Sequence, residues 1–269
     1  MKKIGFIGAG NMAGALLKGL LAAKLYRPQD MLVSDVVPVQ LRKIKRAYRV
    51  EGLNDNRAVV RAAQTIILAV KPQIIDQVLA DIQSEVTKEK LFVSIAAGVP
   101  LRRLENGLGS DARVVRVMPN TPALLGKGIA VVVRGHKAKP QDEKLTLTLF
   151  RGVGEALAVK DEALMDPVTG LSGSGPAYVY LFAEALIAGG IQAGLSPAVA
   201  TRLTLQTIEG AVAMLKETGK NPQELRAMVT SPGGTTLAGL SVLTDGKFVE
   251  TIAGAVSAAT RRSKELGQG

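Results

Sequence analysis

The stretch Lys2-Lys3-Ile4-Gly5-Phe6-Ile7-Gly8-Ala9-Gly10-Asn11-Met12-Ala13-Gly14 decides the fold of this chain. An apolar run ends at Gly8 and a helix-like segment follows, which is the Gly-x-Gly-x-x-Ala form of the dinucleotide-binding turn. We predict that Gly8 makes the tight turn and that Gly10 lets a pyrophosphate reach the backbone. The free N–H groups of the following helix, at Asn11 and Met12, would face the anion. A glycine-rich turn that binds no ligand is the alternative.

The end of the next predicted strand agrees with a bound dinucleotide. Ser34 and Asp35 follow the glycine turn by about twenty residues, where such domains place their ribose contact. Asp35 is the residue type of NAD enzymes, because its charge repels a 2′-phosphate. Ser34 could instead hydrogen-bond that phosphate, with Arg42 or Lys43 reaching it from the next helix.

The composition limits the class of protein. The chain has 269 residues, of which 47% are hydrophobic, and this is enough for two folded domains. The absence of cysteine excludes disulfides, thiolate nucleophiles and Cys-ligated metals. With His136 as the single histidine and no clustered carboxylates, we expect no metal. We also expect no membrane span, no signal peptide ahead of the first strand, and a cytoplasmic protein.

The net charge of +11 is unevenly distributed: residues 1–160 carry +13 and residues 161–269 carry −2. A basic half is compatible with nucleic-acid binding. However, the chain is only 3% aromatic and has no arginine-rich arm, so we predict no nucleic-acid partner. The positive field better suits a polyanionic cofactor and an anionic substrate, or is solvated surface.

Residues 1–160 predict an α/β domain of the Rossmann type, with a doubly wound sheet. Nearly continuous aliphatic runs alternate with helix-length segments, which is typical of parallel strands buried on both faces. The proline-rich gap between Val117 and Ile129 is short, so the last strands are expected to break the parallel order. The predicted strands are Ile4–Ile7, Met31–Ser34, a short one near Val50, Thr65–Val70, Leu91–Ile95, Val114–Val117, Ile129–Val133 and Ala156–Val159.

Residues 161–269 predict an all-helical domain for substrate binding and dimerisation. Prolines occupy first-turn positions, and Ser196 and Asn221 precede two of them as cap candidates. Apolar residues circle much of each helix, so we predict a homodimer that buries these faces. The predicted helices are Pro176–Ala193, Pro197–Thr218, Pro222–Met228, Gly234–Leu243 and Lys247–Leu266.

Several loops follow the predicted strands at the edge where an open α/β sheet binds its ligands. Each also has a structural reading, because prolines end elements and asparagine caps helices. Asn56 is such a cap candidate, before a helix over Arg57–Ala63. Together with the glycine turn, these loops give the predicted cofactor-binding residues Gly8, Gly10, Asn11, Met12, Ser34, Asn56, Ala69, Val70, Lys71, Pro72, Ala97, Met118, Pro119 and Asn120.

Two glycine-containing segments in the second half each lead into a predicted helix. They are Leu171–Pro176 and Ser231-Pro232-Gly233-Gly234-Thr235-Thr236. Glycines before a helix expose its first-turn N–H groups, which can hold a carboxylate or phosphate. An ordinary helix–helix loop is the alternative. The predicted substrate-binding residues are Ser172, Ser231, Gly233, Gly234, Thr235 and Thr236.

These segments together resemble the pyrroline-5-carboxylate reductase family over essentially the whole chain. The most selective stretch is Ser231–Thr236, followed by Ala238-Gly239-Leu240 and Leu243. The resemblance implies reduction of (S)-1-pyrroline-5-carboxylate to L-proline with NAD(P)H, the last step of proline biosynthesis. It also implies a Rossmann domain, a helical dimerisation domain and, in many members, a decamer of five dimers. On the resemblance we expect NADPH as cofactor, with NADH also accepted.

The residue types suit that reaction. Hydride transfer needs the nicotinamide and the imine stacked within about 3–3.5 Å. A carboxylate held by the N–H groups around Gly234–Thr236 would fix the angle of the substrate. We predict Thr236 as the catalytic residue, with its hydroxyl near the imine nitrogen, where it stabilises the proton.

Two other functions compete with imine reduction. A β-hydroxyacid dehydrogenase also combines a Rossmann half with a helical half, but carbonyl reduction needs a positioned acid such as lysine or histidine. No lysine occurs between Lys160 and Lys216, and His136 lies in a polar segment predicted as a surface loop. A redox sensor that only binds the dinucleotide is the third candidate, although it has no use for a carboxylate-binding loop.

Overall fold

The computed structural model describes residues 2–268, which fall into two compact units. The first unit comprises residues 2–174 and 257–268, and the second comprises residues 175–256. The boundary between the two units therefore lies after residue 174, and the last turns of the C-terminal helix belong to the first unit. The division at residues 160 and 161 stays a prediction.

The first unit contains one sheet of eight strands in the order β3-β2-β1-β4-β5-β6-β7-β8. All neighbouring strands are parallel except β6 and β7, which are antiparallel. This confirms the doubly wound α/β class and the predicted break in parallel order. The strands are β1 (Lys2–Ile7), β2 (Met31–Ser34), β3 (Glu51–Leu53), β4 (Ala63–Leu68), β5 (Leu91–Ser94), β6 (Arg113–Met118), β7 (Gly128–Arg134) and β8 (Gly154–Ala158).

Helices cover both faces of this sheet because successive strand residues point to opposite sides. Phe6 belongs to the buried cluster that includes residues of α1, α2 and α6. Its neighbour Ile7 belongs to the cluster with α3, α4, α5 and α7. The helices are α1 (Asn11–Ala22), α2 (Pro38–Tyr48), α3 (Asn56–Ala62), α4 (Ile75–Ile82), α5 (Leu101–Leu108), α6 (Pro140–Arg151) and α7 (Met165–Val168). A π-helical turn, Thr169–Gly173, follows α7.

The second unit is helical, as predicted. Its helices are α8 (Gly175–Gln192), α9 (Pro197–Glu217), α10 (Pro222–Met228), α11 (Thr235–Asp245) and the first turns of α12 (Phe248–Gln268). Both predicted caps are confirmed: the Ser196 hydroxyl accepts from the Val199 N–H at 3.4 Å, and Asn221 Oδ1 accepts from the Glu224 N–H at 2.9 Å. Among residues 2–268, no helix combines the length and apolar sequence that crossing a bilayer requires.

The second unit leaves most of its apolar side chains uncovered. Within residues 175–256, only Ala200 and Thr204 are buried. Large apolar side chains remain accessible, and Val242 and Val249 are each 72% exposed. Such a surface favours burial against a second molecule, which is the reason for the predicted homodimer.

Candidate active site

The carboxyl ends of four parallel strands lie side by side in the first unit. Ile7 pairs with Leu68 in the strand register, and Leu68 pairs with Ser94. β6 continues the row, so the loops that follow β1, β4, β5 and β6 share one edge of the sheet. The structure thus brings most of the predicted cofactor residues to the edge where such sheets bind ligands.

The turn after β1 can only be made by glycine at position 8. Gly8 has φ of +101°, a conformation that side chains rarely adopt. An added Cβ would also lie 2.5 Å from the carbonyl oxygen of Ala69. The Gly8 N–H donates to the carbonyl of Ser34 at 2.8 Å, so the turn is held against the end of β2. The predicted role of Gly8 in the tight turn is confirmed.

The N-terminus of α1 offers a site for a pyrophosphate. Gly10 is its N-cap, with φ of −72°, so no side chain covers the first-turn N–H groups. Apart from chain neighbours, no heavy atom of the described residues lies within 4 Å of an ideal Gly10 Cβ. A cavity of about 210 Å³ adjoins the turn, and its lining includes Lys18 and Lys43. Exposed amides, open space and two cations fit a diphosphate.

Asp35 anchors the glycine turn. Its Oδ2 atom accepts from the Ala9 N–H at 2.7 Å, and its Oδ1 atom accepts from the Val37 N–H at 2.8 Å. Both oxygens are therefore engaged by backbone amides. Sequence reasoning assigned Asp35 only to the ribose and missed this contact, which joins residues 26 positions apart.

Ser34, Asn56 and Asp81 form a chain of hydrogen bonds that runs from the buried end of β2 toward the surface. Ser34 is fully buried, and its hydroxyl donates to Asn56 Oδ1 at 2.8 Å. Asn56 Nδ2 in turn donates to Asp81 Oδ2 at 3.1 Å. The expectation that Asn56 caps α3 is wrong, because α3 begins at Asn56 and Asp55 accepts from the Ala58 N–H. No sequence signal pointed to Asp81, which lies on α4.

The loops after β4 and β5 are shaped by backbone contacts. The Ala69 N–H donates to the Ile7 carbonyl at 2.8 Å, which ties this loop to the glycine turn. Lys71 is exposed and precedes a short 3₁₀ turn that begins at Pro72. Val70 and Ala97 are half-buried. These residues remain predicted cofactor contacts.

Asn120 contacts the turn that carries Ser172. Asn120 Oδ1 accepts from the Ile129 N–H at 3.0 Å, and Nδ2 donates to the Ser172 carbonyl at 3.1 Å. The prediction that Leu171–Pro176 leads into a helix is confirmed, since α8 begins at Gly175, but the residues before it form the π-helical turn Thr169–Gly173 rather than an open loop. The Ser172 hydroxyl donates to the Val168 carbonyl at 3.0 Å. Substrate binding by Ser172 stays a prediction.

The segment Ser231–Thr236 of the second unit does form a helix N-terminus. Gly233 has φ of +72°, and Gly234 is the N-cap of α11, which is 11 residues long. The Gly234 N–H is not free, because it donates to the Ser231 carbonyl at 3.0 Å. The available donors therefore begin at Thr235. Within residues 2–268, neither threonine hydroxyl has a hydrogen-bond partner, and Thr236 is half-buried.

A buried arginine braces the segment after β8. Arg116 on β6 is 5% exposed, and its Nη1 atom lies 2.7 Å from Glu162 Oε1. The same oxygen accepts from the Leu101 N–H at 2.7 Å. Asp166, 4.0 Å from Arg116 Nη2, accepts from the Ser263 hydroxyl at 2.7 Å. This network was not predicted, because a single arginine in an apolar strand does not reveal its partners.

Comparison with known proteins agrees with this architecture. The family model of pyrroline-5-carboxylate reductase dimerisation matches residues 162–266, and that of coenzyme F420-dependent NADP oxidoreductases matches residues 3–98. The pyrroline-5-carboxylate reductase of Methanosarcina acetivorans is 43% identical over 99% of this chain and 98% of that protein. The enzyme of that name from Arabidopsis thaliana is 41% identical over 99% of this chain and 96% of that protein.

A solved structure is similar over the same extent. The crystal structure of Plasmodium falciparum pyrroline carboxylate reductase with NADP bound has a TM-score of 0.90 and 35% identity, covering 99% of this chain and 98% of that chain. The resemblance predicted from the sequence is therefore confirmed, and the chain belongs to the pyrroline-5-carboxylate reductase family.

Proposed function

We propose that this protein reduces the cyclic imine (S)-1-pyrroline-5-carboxylate to L-proline with NADPH, the last step of proline biosynthesis. The observation that carries the proposal is the N-terminus of α11, which, like that of α1, has a glycine N-cap and no side-chain cap, and so could hold an anion. A reductase of a small imino acid needs one such end for the cofactor and one for the substrate carboxylate. Relatives named pyrroline-5-carboxylate reductase support the same reaction.

The first unit supplies the cofactor site in this proposal. The pyrophosphate would lie on the amides of Asn11 and Met12, between the turn glycines and the lysines of the adjoining cavity. NADPH supplies the hydride. The NADP in the Plasmodium falciparum structure supports NADPH, and NADH would also be accepted. The proposed contacts are Gly8, Gly10, Asn11, Met12, Ser34, Asn56, Ala69, Val70, Lys71, Pro72, Ala97, Met118 and Pro119.

The second unit would hold the carboxylate of the imine on the N–H groups of Thr235 and Thr236. Partial positive charge at a helix N-terminus favours this anion. The imine carbon accepts the hydride, and the electron pair of the C=N bond moves to the nitrogen. Because that nitrogen is already protonated in solution, no strong acid is needed. The Thr236 hydroxyl would stabilise the proton that remains there. Ser172, Ser231, Gly233 and Gly234 complete the proposed substrate site.

We further propose a homodimer through the exposed apolar faces of the second unit, and five such dimers in a decamer. The dimerisation family model over residues 162–266 supports the dimer. Accessible side chains such as Val242 and Val249 provide the apolar area that a stable interface needs. The cytoplasm is the proposed compartment.

An assay in both directions tests the proposed reaction. The purified protein is expected to oxidise NADPH when pyrroline-5-carboxylate is added, and to reduce NADP⁺ with L-proline at alkaline pH. Turnover of 3-hydroxy acids instead would identify a β-hydroxyacid dehydrogenase. Cofactor binding without turnover of either substrate would identify a sensor. Either of these results would refute imine reduction.

A further inference from the structure

We infer that Asn120 is a positioning residue rather than a cofactor contact. It holds the turn that carries Ser172 in its π-helical form, and this form sets the direction of the side chains that follow. The inference rests on the proposed function, in which Ser172 belongs to the substrate site. It changes the role assigned to Asn120, because the loop after β6 then acts on imine binding and not on the dinucleotide.

The first step is a missing donor at position 176. In an α-helix, the carbonyl of a residue accepts from the N–H four positions later. For Ser172 that position is Pro176, and proline has no N–H. Asn120 Nδ2 donates to the Ser172 carbonyl at 3.1 Å and supplies the hydrogen bond that the helix cannot. Ser172 is half-buried, so leaving its carbonyl without a donor is costly.

The second step concerns the phase of the turn. The Ser174 N–H donates to the Thr169 carbonyl at 2.9 Å, five positions earlier, which is the π-helical spacing. A π turn contains one residue more than an α turn, so a return to α spacing would rotate the following side chains by about 100°. Because Asn120 satisfies the Ser172 carbonyl, this carbonyl needs no α-helical partner, and the π-helical turn is stabilised.

The third step is that Asn120 is itself fixed. Its Oδ1 atom accepts from the Ile129 N–H on β7 at 3.0 Å. Because an N–H must face a carbonyl oxygen, this contact directs Nδ2 toward Ser172. Near it, the Met118 methyl group occupies the space that a Cβ on Gly173 would take. The loop and the turn are therefore interlocked by two independent contacts.

The main test is Asn120→Asp. Aspartate keeps the acceptor for the Ile129 N–H but places a carboxylate oxygen, in place of the donor, against the Ser172 carbonyl. We expect kcat/KM for pyrroline-5-carboxylate to fall at least tenfold, while the Kd for NADP⁺, measured by calorimetry without substrate, stays within twofold. Asn106→Asp, the same change on the exposed part of α5, is the matched control and should alter neither quantity.

A second pair of variants separates positioning from simple stabilisation. Asn120→Ala should lower both the melting temperature and kcat/KM. Adding Pro176→Ala to it restores an N–H for the Ser172 carbonyl, so the melting temperature should recover while kcat/KM stays low, because the turn then takes the α phase. Recovery of both quantities would overturn the inference.

Activity of the wild-type protein distinguishes a failure of this inference from a failure of the proposed function. If the wild-type protein reduces the imine but Asn120→Asp weakens NADP⁺ binding and leaves the KM for the imine unchanged, Asn120 is a cofactor contact and the inference is overturned. If the wild-type protein does not reduce the imine, the proposed function fails and this inference fails with it.

Discussion

Gly10→Ala should separate cofactor binding from stability. The backbone of Gly10 has φ of −72° and ψ of −175°, which alanine adopts without strain. Outside its chain neighbours, no described heavy atom lies within 4 Å of the added methyl group. The methyl group would therefore enter only the space that we assign to the pyrophosphate.

The expected magnitudes follow from this geometry. At a position compatible with alanine, replacing glycine stabilises a protein by about 0.4–1 kcal/mol, chiefly by restricting the unfolded chain. For a protein of this size that raises the melting temperature by roughly 1–4 °C. Forcing a methyl group into a well-packed contact costs about 1–3 kcal/mol, which weakens NADP⁺ binding by roughly five- to 150-fold.

Two measurements on one preparation check the prediction: isothermal titration of NADP⁺ and thermal unfolding without ligand. Gly8→Ala is the contrasting variant. Because Gly8 has φ of +101° and an added Cβ would meet the Ala69 carbonyl, that variant should lose both stability and binding. An unchanged NADP⁺ affinity in Gly10→Ala would refute the placement of the pyrophosphate. A large fall in the melting temperature of this variant would refute the claim that alanine fits at position 10 without strain.

Three further substitutions test other parts of the account. Thr236→Ala should lower kcat/KM for the imine by roughly 10- to 150-fold, the equivalent of one hydrogen bond to a charged group, and should retain NADP⁺ affinity. Thr236→Ser should restore most of the rate. Unchanged turnover in Thr236→Ala would remove that residue from the mechanism. Asp35→Asn should lower the NADPH/NADH ratio of KM values roughly fivefold, since the lost repulsion is worth about 1 kcal/mol. An unchanged ratio would mean that Asp35 serves only the Ala9 and Val37 amides. Arg116→Met should cost about 1–3 kcal/mol in urea unfolding, because the partly exposed Glu162 carboxylate loses its charged partner and keeps the Leu101 N–H. A cost below 1 kcal/mol would contradict a bracing role.

Most of the fold could be predicted from local sequence patterns. The strand Met31–Ser34 and the helix Pro222–Met228 have the predicted bounds, and the other elements differ at their ends by one or two residues in most cases. Those two segments are strongly patterned: Met31–Ser34 is buried throughout, and the helix Pro222–Met228 begins at a proline. The antiparallel β7 was also predictable, because the gap after Val117 is too short for a parallel crossover.

The site was only partly predictable, because its important contacts link distant positions. The sequence identified the glycine turn, whose requirements are local. It did not indicate that Asp35 accepts from the Ala9 N–H or that Asp81 orients Asn56. The glycines around Ser172 correctly indicated the start of α8 at Gly175, but not the π-helical turn Thr169–Gly173 that precedes it. Likewise, Asp55 rather than Asn56 caps α3, while the Asn56 side chain is engaged by Ser34 and Asp81 from distant parts of the chain.

The most direct measurement is a crystal structure of the protein with NADP⁺ and L-proline bound. The account predicts that the proline carboxylate accepts from the backbone N–H groups of Thr235 and Thr236, with the proline Cδ atom within about 3.5 Å of the nicotinamide C4 atom. A carboxylate bound away from residues 231–236, or a ring carbon beyond hydride-transfer distance, would contradict it.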